Sequence, residues 1–280
     1  MSTIAIIGAG GKMGGRLTAN LRNRRHTLLL VEASENGCER VRANGFEVTS
    51  RDEALTRADT VILAVPDRAL GTVAREILPL LQPGALVITL DPAAAHAGEL
   101  PSRPDTACFV THPCHPDVFA HYPTPEERDD FFGGIHARQA IVCALLHGSG
   151  QDYAKGETLA REFYAPVTRA HRITVEQMAI LEPTMAETCG IALIRALREA
   201  LDEAVRRGVP REAAEDFMFG HIKVELGIAF SRVPFPFSDG ANLIAGYGAS
   251  RIFRDDWKSL FEPGNVLEQV RMIVSSPSSP

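Results

Sequence analysis

Ile4-Ala5-Ile6-Ile7-Gly8-Ala9-Gly10-Gly11-Lys12-Met13-Gly14 runs an apolar strand into a cluster of glycines and starts a helix behind them. Glycines suit that place because the backbone must turn tightly and approach a pyrophosphate closely. The helix N-terminus then offers free N–H groups and partial positive charge to the phosphates. The spacing reads GxGGxxG, one residue longer than the plain GxGxxG fingerprint, so either Gly10 or Gly11 is the close-approach glycine. Gly8, Gly10, Gly11, Lys12, Met13 and Gly14 are the candidate phosphate-binding residues. Glu32 ends the next apolar run, LLLVE, 18 residues beyond Gly14. A carboxylate there accepts hydrogen bonds from both adenosine ribose hydroxyls and repels a 2′-phosphate. No arginine follows in Ala33-Ser34-Glu35-Asn36, so the expected cofactor is NAD rather than NADP.

Outward from this turn, strand-like runs alternate with amphipathic segments. Lys12–Arg24 has helical spacing, Leu28–Val31 is a second strand, and Asp52–Arg57 is helical before the strand Thr60–Val65. A helix over Arg68–Leu81 precedes a strand at Ala85–Leu90, and another strand begins at Cys108–Val110. Short, wholly apolar strands in βαβα order predict a Rossmann-type, doubly wound parallel sheet covered on both faces. Val65 and Pro66 close a strand at its carboxyl end, where such sheets bind ligands, and are expected to touch the cofactor. Pro123–Asp130 reads as a surface excursion, Gln139–Leu146 as a strand, Asp152–Tyr164 as a helix and Ala165–Ile173 as a return strand.

The character then changes. Helical patterns cover Val175–Arg207, Arg211–Arg232, Asn242–Gly248 and Trp257–Ile273. The expected domains are 1–172, binding NAD, and an all-helical 173–280 for substrate and dimerisation, with 274–280 (ending SSPSSP) disordered.

Composition narrows the function. The 280 residues are 45% hydrophobic and 23% charged, ordinary globular values. A net charge of −6 argues against a nucleic-acid partner. No apolar stretch is long enough to span a bilayer, and the N-terminus has no basic region ahead of an apolar one, so neither membrane nor export is expected. Five scattered cysteines without CxxC fit reduced thiols in a cytoplasmic protein. No GxSxG, Walker loop or HExxH occurs.

Thr111-His112-Pro113-Cys114-His115-Pro116 follows a strand and should face the nicotinamide side of the crevice. Its prolines favour an extended chain, which spreads the two histidines and leaves His112, nearest the strand end, as the site residue. Glu182-Pro183 lies in an apolar helical stretch, where a buried glutamate needs a cation, a hydrogen-bond network or a metal. His112 and Glu182 form a candidate metal pair, or act directly as acid and base. Zinc suits the histidine; magnesium suits carboxylate and water. In Phe217–Leu226, apolar nearly all round, His221 and Glu225 share a face at i, i+4, while Lys223 points about 200° away. His221 is the choice for the substrate side. Arg169, His171 and Arg172 read as surface charges with a possible carboxylate-binding role.

GAGGKMGG, Glu32, VILAVPD and the long helix after residue 172 resemble the 6-phosphogluconate dehydrogenase and β-hydroxyacid dehydrogenase superfamily. The catalytic-lysine helix of that superfamily, GxxGxxxKxxxN, has no counterpart, since Glu176–Glu187 holds no lysine. THPCHPDVF, GGIHARQAIVCALLHG, APVTRAHRITVEQMAILEP and FMFGHIKVE are similar to the bacterial D-apionate oxidoisomerase family. That resemblance implies NAD-dependent oxidation of the branched sugar acid D-apionate at its 2-hydroxyl, coupled to acyl migration into 3-oxo-isoapionate, by a homodimer. The competing readings are a decarboxylating or prephenate-type dehydrogenase of the same architecture and a noncatalytic NAD-binding sensor.

Overall fold

Strands buried on both faces read as near-continuous apolar runs, and the four strands of the first hundred residues are built that way. The computed structural model describes residues 1–276. Strand β1 (Thr3–Ile7) pairs in parallel with β2 (Thr27–Val31) and β3 (Thr60–Leu63). Beyond β3 come β4 (Leu86–Thr89), β5 (Ala107–Pro113), β6 (Gln139–His147) and β7 (Val167–Arg172), in the order β2-β1-β3-β4-β5-β6-β7. The connections carry α1 (Lys12–Leu21), α2 (Glu35–Ala43), α3 (Arg51–Arg57), α4 (Asp67–Ile77), α5 (Ala93–His96), α6 (Pro125–Asp129) and α7 (Gly150–Phe163).

Alternate strand residues serve opposite faces. Ile4, Ile6, Leu30, Ile62, Ile88 and Phe109 pack with Leu17 and Leu21 of α1 and Leu159 and Phe163 of α7. Ala5, Ile7, Leu29, Val61, Leu63 and Val87 pack with Leu55 of α3 and Leu70, Ala74 and Ile77 of α4. The sheet departs from the wholly parallel expectation at one place, because β6 runs antiparallel to β5. Between them the excursion carries only the five-residue α6, so no helix crosses the sheet to restore the parallel direction.

After β7, helix α8 (Val175–Ala179) runs on through π-helical turns at Ile180–Ile191 into α9 (Ala192–Arg206). Pro183, inside the π segment, has no N–H to give to a regular ladder, and wider turns accommodate it where a simple kink would be expected. The chain divides into two compact units, Thr184–Val266 and the remainder. This differs from the 172/173 boundary at both ends. Val175 and Met178 of α8 are buried against Val110, Val142 and Ala144 of the sheet, which binds α8 to the first unit. The final helix, α12 (Pro263–Val274), returns Val274 to the α4 side of the sheet. Val274, expected in the disordered tail, therefore ends a helix, and 277–280 lie outside the described residues.

The second unit holds α9, α10 (Arg211–Ala229) and α11 (Asp239–Ile252). It leaves much apolar surface open: Phe217, Phe219, Phe230, Leu243, Ile244 and Tyr247 are 62 to 73% exposed.

Candidate active site

The glycine cluster resolves into separate duties. Gly8 has φ +85°, and a Cβ there would lie 2.5 Å from the Ala64 carbonyl oxygen. At Gly14 a Cβ would meet the Gly8 oxygen at 2.2 Å, so this glycine lets helix and strand pack closely. Gly10 is held against α2, where a Cβ would sit 2.4 Å from the Gly37 oxygen. Gly11 is less crowded than Gly8, Gly10 and Gly14, though a Cβ there would still meet the Gly8 oxygen tightly at 3.2 Å. It is also the N-cap of α1, without a side-chain cap, so α1 begins with uncapped N–H groups at Lys12 and Met13. The Met13 side chain packs on the core, and Lys12 Nζ rests 3.5 Å from the Phe132 ring centroid. Val65 packs against the α4-side core within van der Waals reach of Gly8, and Pro66 is the N-cap of α4.

Glu32 accepts three hydrogen bonds at Oε1 and one at Oε2, which keeps acceptor capacity at Oε2. Its Oε2 accepts from the Gly10 N–H at 3.0 Å, and its Oε1 accepts from the N–H groups of Ala33 and Ser34 and from Ser34 Oγ. Burial alone would raise its pKa, but the donors at Ser34, Gly10 and Ala33 outweigh it and hold the carboxyl below its ordinary value. Arg40, in α2 just past Ala33-Ser34-Glu35-Asn36, donates its Nε–H to the Gly10 carbonyl at 2.7 Å. Gly37 keeps the carboxylate in place, since a Cβ there would lie 2.4 Å from Glu32 Cδ. Gly37→Ala is therefore expected to raise the KM for NAD about 10- to 100-fold, the range for losing a charged hydrogen bond. The kcat at saturating NAD should stay near wild type. Steady-state kinetics checks this, and an unchanged KM would show that Glu32 does not set NAD affinity.

At the carboxyl ends of β4 and β5 the structure brings together three side chains, Asp91, His112 and Glu182. One ligand atom from each lies within 4.8 Å of the others, and all three are partly buried. His112 Nδ1 faces the Pro113 carbonyl at 2.9 Å, so Nδ1 donates and Nε2 keeps its lone pair. Burial pushes the His112 pKa down to about 4, against the Pro113 hydrogen bond and with help from His115, so the ring is neutral. Nε2 lies 3.9 Å from Glu182 Oε1, too far for a hydrogen bond. A lone pair facing a carboxylate across that gap, with a second carboxylate alongside, is a donor set that fits a divalent cation. Glu182 comes from the π-helical turns, the kind of helix irregularity often found at functional sites.

Asp91 went unnoticed in the sequence. The signal was present: Asp91-Pro92 ends a strand just as Val65-Pro66 does. His115 is not in the cluster. The chain there is not extended as the prolines suggested. His115 turns back with φ 60° and holds its Nδ1 on the Phe132 carbonyl, with its ring centroid 6.0 Å from that of His112. His221 belongs to the second unit. Its Nδ1 donates to the Phe217 carbonyl at 2.8 Å and its ring stacks on Phe217. It lines an apolar cleft of about 760 Å³ in that unit together with Glu225, the partner at i+4.

Comparison with known proteins places this architecture. The NAD binding domain of 6-phosphogluconate dehydrogenase matches residues 3–97, and the phosphogluconate dehydrogenase (decarboxylating) C-terminal family matches 121–274. A D-apionate oxidoisomerase from Cupriavidus necator is 46% identical over 96% of this chain and 98% of its own. One from Rhizobium rhizogenes is 46% identical over 98% of this chain and 100% of its own. A crystal structure of a semialdehyde dehydrogenase NAD-binding protein from Cupriavidus necator, in complex with calcium and NAD, superposes with a TM-score of 0.95. It is 46% identical, over 98% of this chain and 99% of that one. Full-length identity at this level, on a matching fold, makes the chain a member of the D-apionate oxidoisomerase family within the 6-phosphogluconate dehydrogenase-like superfamily.

Proposed function

We propose that this protein is an NAD-dependent oxidoreductase of a branched sugar acid, and that it converts D-apionate to 3-oxo-isoapionate. The observation that carries the reading is the convergence of Asp91, His112 and Glu182 at the sheet edge that also holds the glycine turn. Parallel strands deliver their carboxyl ends to one side, where a doubly wound sheet binds cofactor and substrate.

NAD lies on the uncapped N–H groups of Lys12 and Met13, with Gly11 beside the pyrophosphate, Glu32 on the ribose, and Val65 and Pro66 at the adjoining strand end. Bound there, NAD supplies the hydride acceptor for the 2-hydroxyl. Oxidation leaves a keto acid beside a tertiary alcohol. In the rearrangement a carbon substituent of C3 shifts to C2 while the C3 oxygen becomes a carbonyl. The bond at C3 breaks as the bond at C2 forms, and the proton passes from the C3 hydroxyl to the C2 oxygen. The expected acyl migration is, in these terms, a 1,2-shift of carbon.

Asp91, His112 and Glu182 would hold a divalent metal, zinc or magnesium, which would supply Lewis-acid chemistry to the substrate oxygens. The Pro113 carbonyl fixes the tautomer of His112 and keeps Nε2 available to the cluster. Without a metal, the neutral imidazole and the two carboxylates are the groups able to move the proton. The helical unit pairs with a second copy of the chain, which covers the exposed Phe217, Phe219, Leu243 and Ile244. The five cysteines are all free, which suits the reducing cytoplasm. No helix among the described residues is long and apolar enough to cross a membrane.

The test is NADH formation on D-apionate, with product analysis, with and without a chelator. The expected result is turnover with all carbon retained and loss of activity on chelation. Release of carbon dioxide would move the assignment to a decarboxylating dehydrogenase. NAD binding without turnover on any sugar acid would make the protein a sensor. Full activity in chelator would leave Asp91, His112 and Glu182 acting directly as acid and base.

A further inference from the structure

The sheet register carries a second group of residues alongside the Asp91–His112–Glu182 cluster. On β5, β6 and β7, His112 pairs with Val142 and Val142 with His171. Cys114 donates its N–H to the Ala140 carbonyl, and Ala140 pairs with Arg169. Residues that pair across strands share a face, and Val142 lies on the face covered by α8, so His112, His171 and Arg169 lie on that face too. Two strand spacings put the backbone of His171 about 10 Å from that of His112, with Arg169 one row further along. An arginine side chain and a small sugar acid together bridge such a separation.

The space beside this face is a cleft of about 640 Å³. Cys114, His115, Tyr122, Arg138, Arg169 and His171 line it. Asp117, the acid on its wall, turns its carboxylate onto the Phe119 N–H of its own loop. Arg138 reaches only the His121 carbonyl, at 3.5 Å. Arg169 lines the cleft together with Cys114. Arg138, Arg169 and His171 thus share the lining of this cleft with one carboxylate, Asp117.

We propose that this cleft is the carboxylate subsite for the sugar acid, with Arg169 as the anchoring residue and His171 beside it. The inference rests on the oxidoreductase reading above. Arg169 pairs with the substrate carboxylate through its planar fork of donors. The hydroxyl-bearing carbons then extend along the row toward His112. The bland reading of the same residues is protection of an edge strand, because β7 ends the sheet and charges there discourage pairing with other chains. That role would not depend on the charge of the substrate.

The experiment compares wild type, Arg169→Gln and Arg169→Lys on D-apionate and on its uncharged primary amide. It measures KM and kcat, and calorimetric binding of each compound to the NAD-bound protein. Arg169→Gln should raise the KM and Kd for the acid about 10- to 100-fold, the value of a charge-assisted hydrogen bond. The kcat at saturation and the KM for NAD should move little. The amide should bind wild type and Arg169→Gln equally, and Arg169→Lys should recover part of the loss. Equal acid affinity in all three proteins overturns the proposal, as does an equal loss on acid and amide. If wild type binds D-apionate in an Arg169-dependent way without turning it over, the subsite stands and the oxidoreductase reading falls. If wild type turns the acid over and Arg169→Gln matches it, only the subsite falls. If wild type binds neither compound, both fall.

Discussion

His112→Ala, Glu182→Gln and Asp91→Asn are each expected to lower kcat/KM on D-apionate about 10²- to 10⁴-fold, the range for losing a positioned acid–base group. The effect should be this large because the three donors form one cluster within 4.8 Å, so each removal disables a shared centre. Losses should also be far from additive: a double variant should be little worse than a single one. A parallel titration with zinc or magnesium separates the two ways the cluster can act. If the residues hold a metal, all three variants lose metal affinity with activity. If they move protons directly, activity falls while metal affinity stays. Near-normal turnover in both His112→Ala and Glu182→Gln would remove the site from this edge of the sheet. The NAD affinity of all three should match wild type, since none touches the glycine turn or Glu32.

Phe109→Ala is expected to destabilise the protein by about 3–5 kcal/mol, the usual cost of emptying a buried aromatic site. Phe109 is 0% exposed on β5, and its ring meets Tyr153 edge-on with centroids 5.6 Å apart. Gly156 lies directly against it: a Cβ there would be 2.5 Å from the ring. The ring and the bare glycine fit each other, so Gly156→Ala alone should also destabilise, by about 1–3 kcal/mol through overpacking. The double variant should cost less than the sum, because the new methyl occupies part of the emptied space. Urea unfolding of the four proteins measures this coupling. Strict additivity would mean that ring and glycine do not share a cavity. Phe109 stands three residues before His112, so the same strand that fills the core positions the site.

Much of the nucleotide-binding half was legible in the sequence because its determinants are local. Gly8 through Gly14, LLLVE and VILAVP each declare their geometry within a few residues, and the strands follow from continuous apolar runs. His112 and Glu182 were found by the same logic, one from its strand end and the other from a charge in an apolar helix. The remainder depends on contacts that periodicity does not carry. Helix α8 continues the pattern of α9, and only the packing of Val175 and Met178 on Val142 and Ala144 assigns it to the sheet. The direction of β6 depends on what its connection lacks, a crossover helix. The π turns around Pro183 arise from accommodation of a missing N–H, which a 3.6-residue template represents only as a kink. His115 adopts φ 60° where the flanking prolines suggested extension, because its ring is held by the distant Phe132 carbonyl. Asp91 lay open to the strand-end argument, but its partners are 21 and 91 residues away in the chain.

The carboxylate of Glu32 is set in place by four donors from the protein itself. Two of them are backbone groups beside it, one is the Ser34 hydroxyl that also caps α2, and one is the backbone of the glycine turn itself. On the proposed seating of the adenosine ribose at Glu32, preference between nucleotides rests on a small network spanning residues 10, 32, 33, 34 and 37. An arginine at position 32 would remove the acceptor for all four donors and leave the Gly10 N–H without its partner. Conversion to a 2′-phosphorylated nucleotide therefore demands coordinated change at several positions, and a lineage moving one substitution at a time meets a loss of cofactor affinity at its first step.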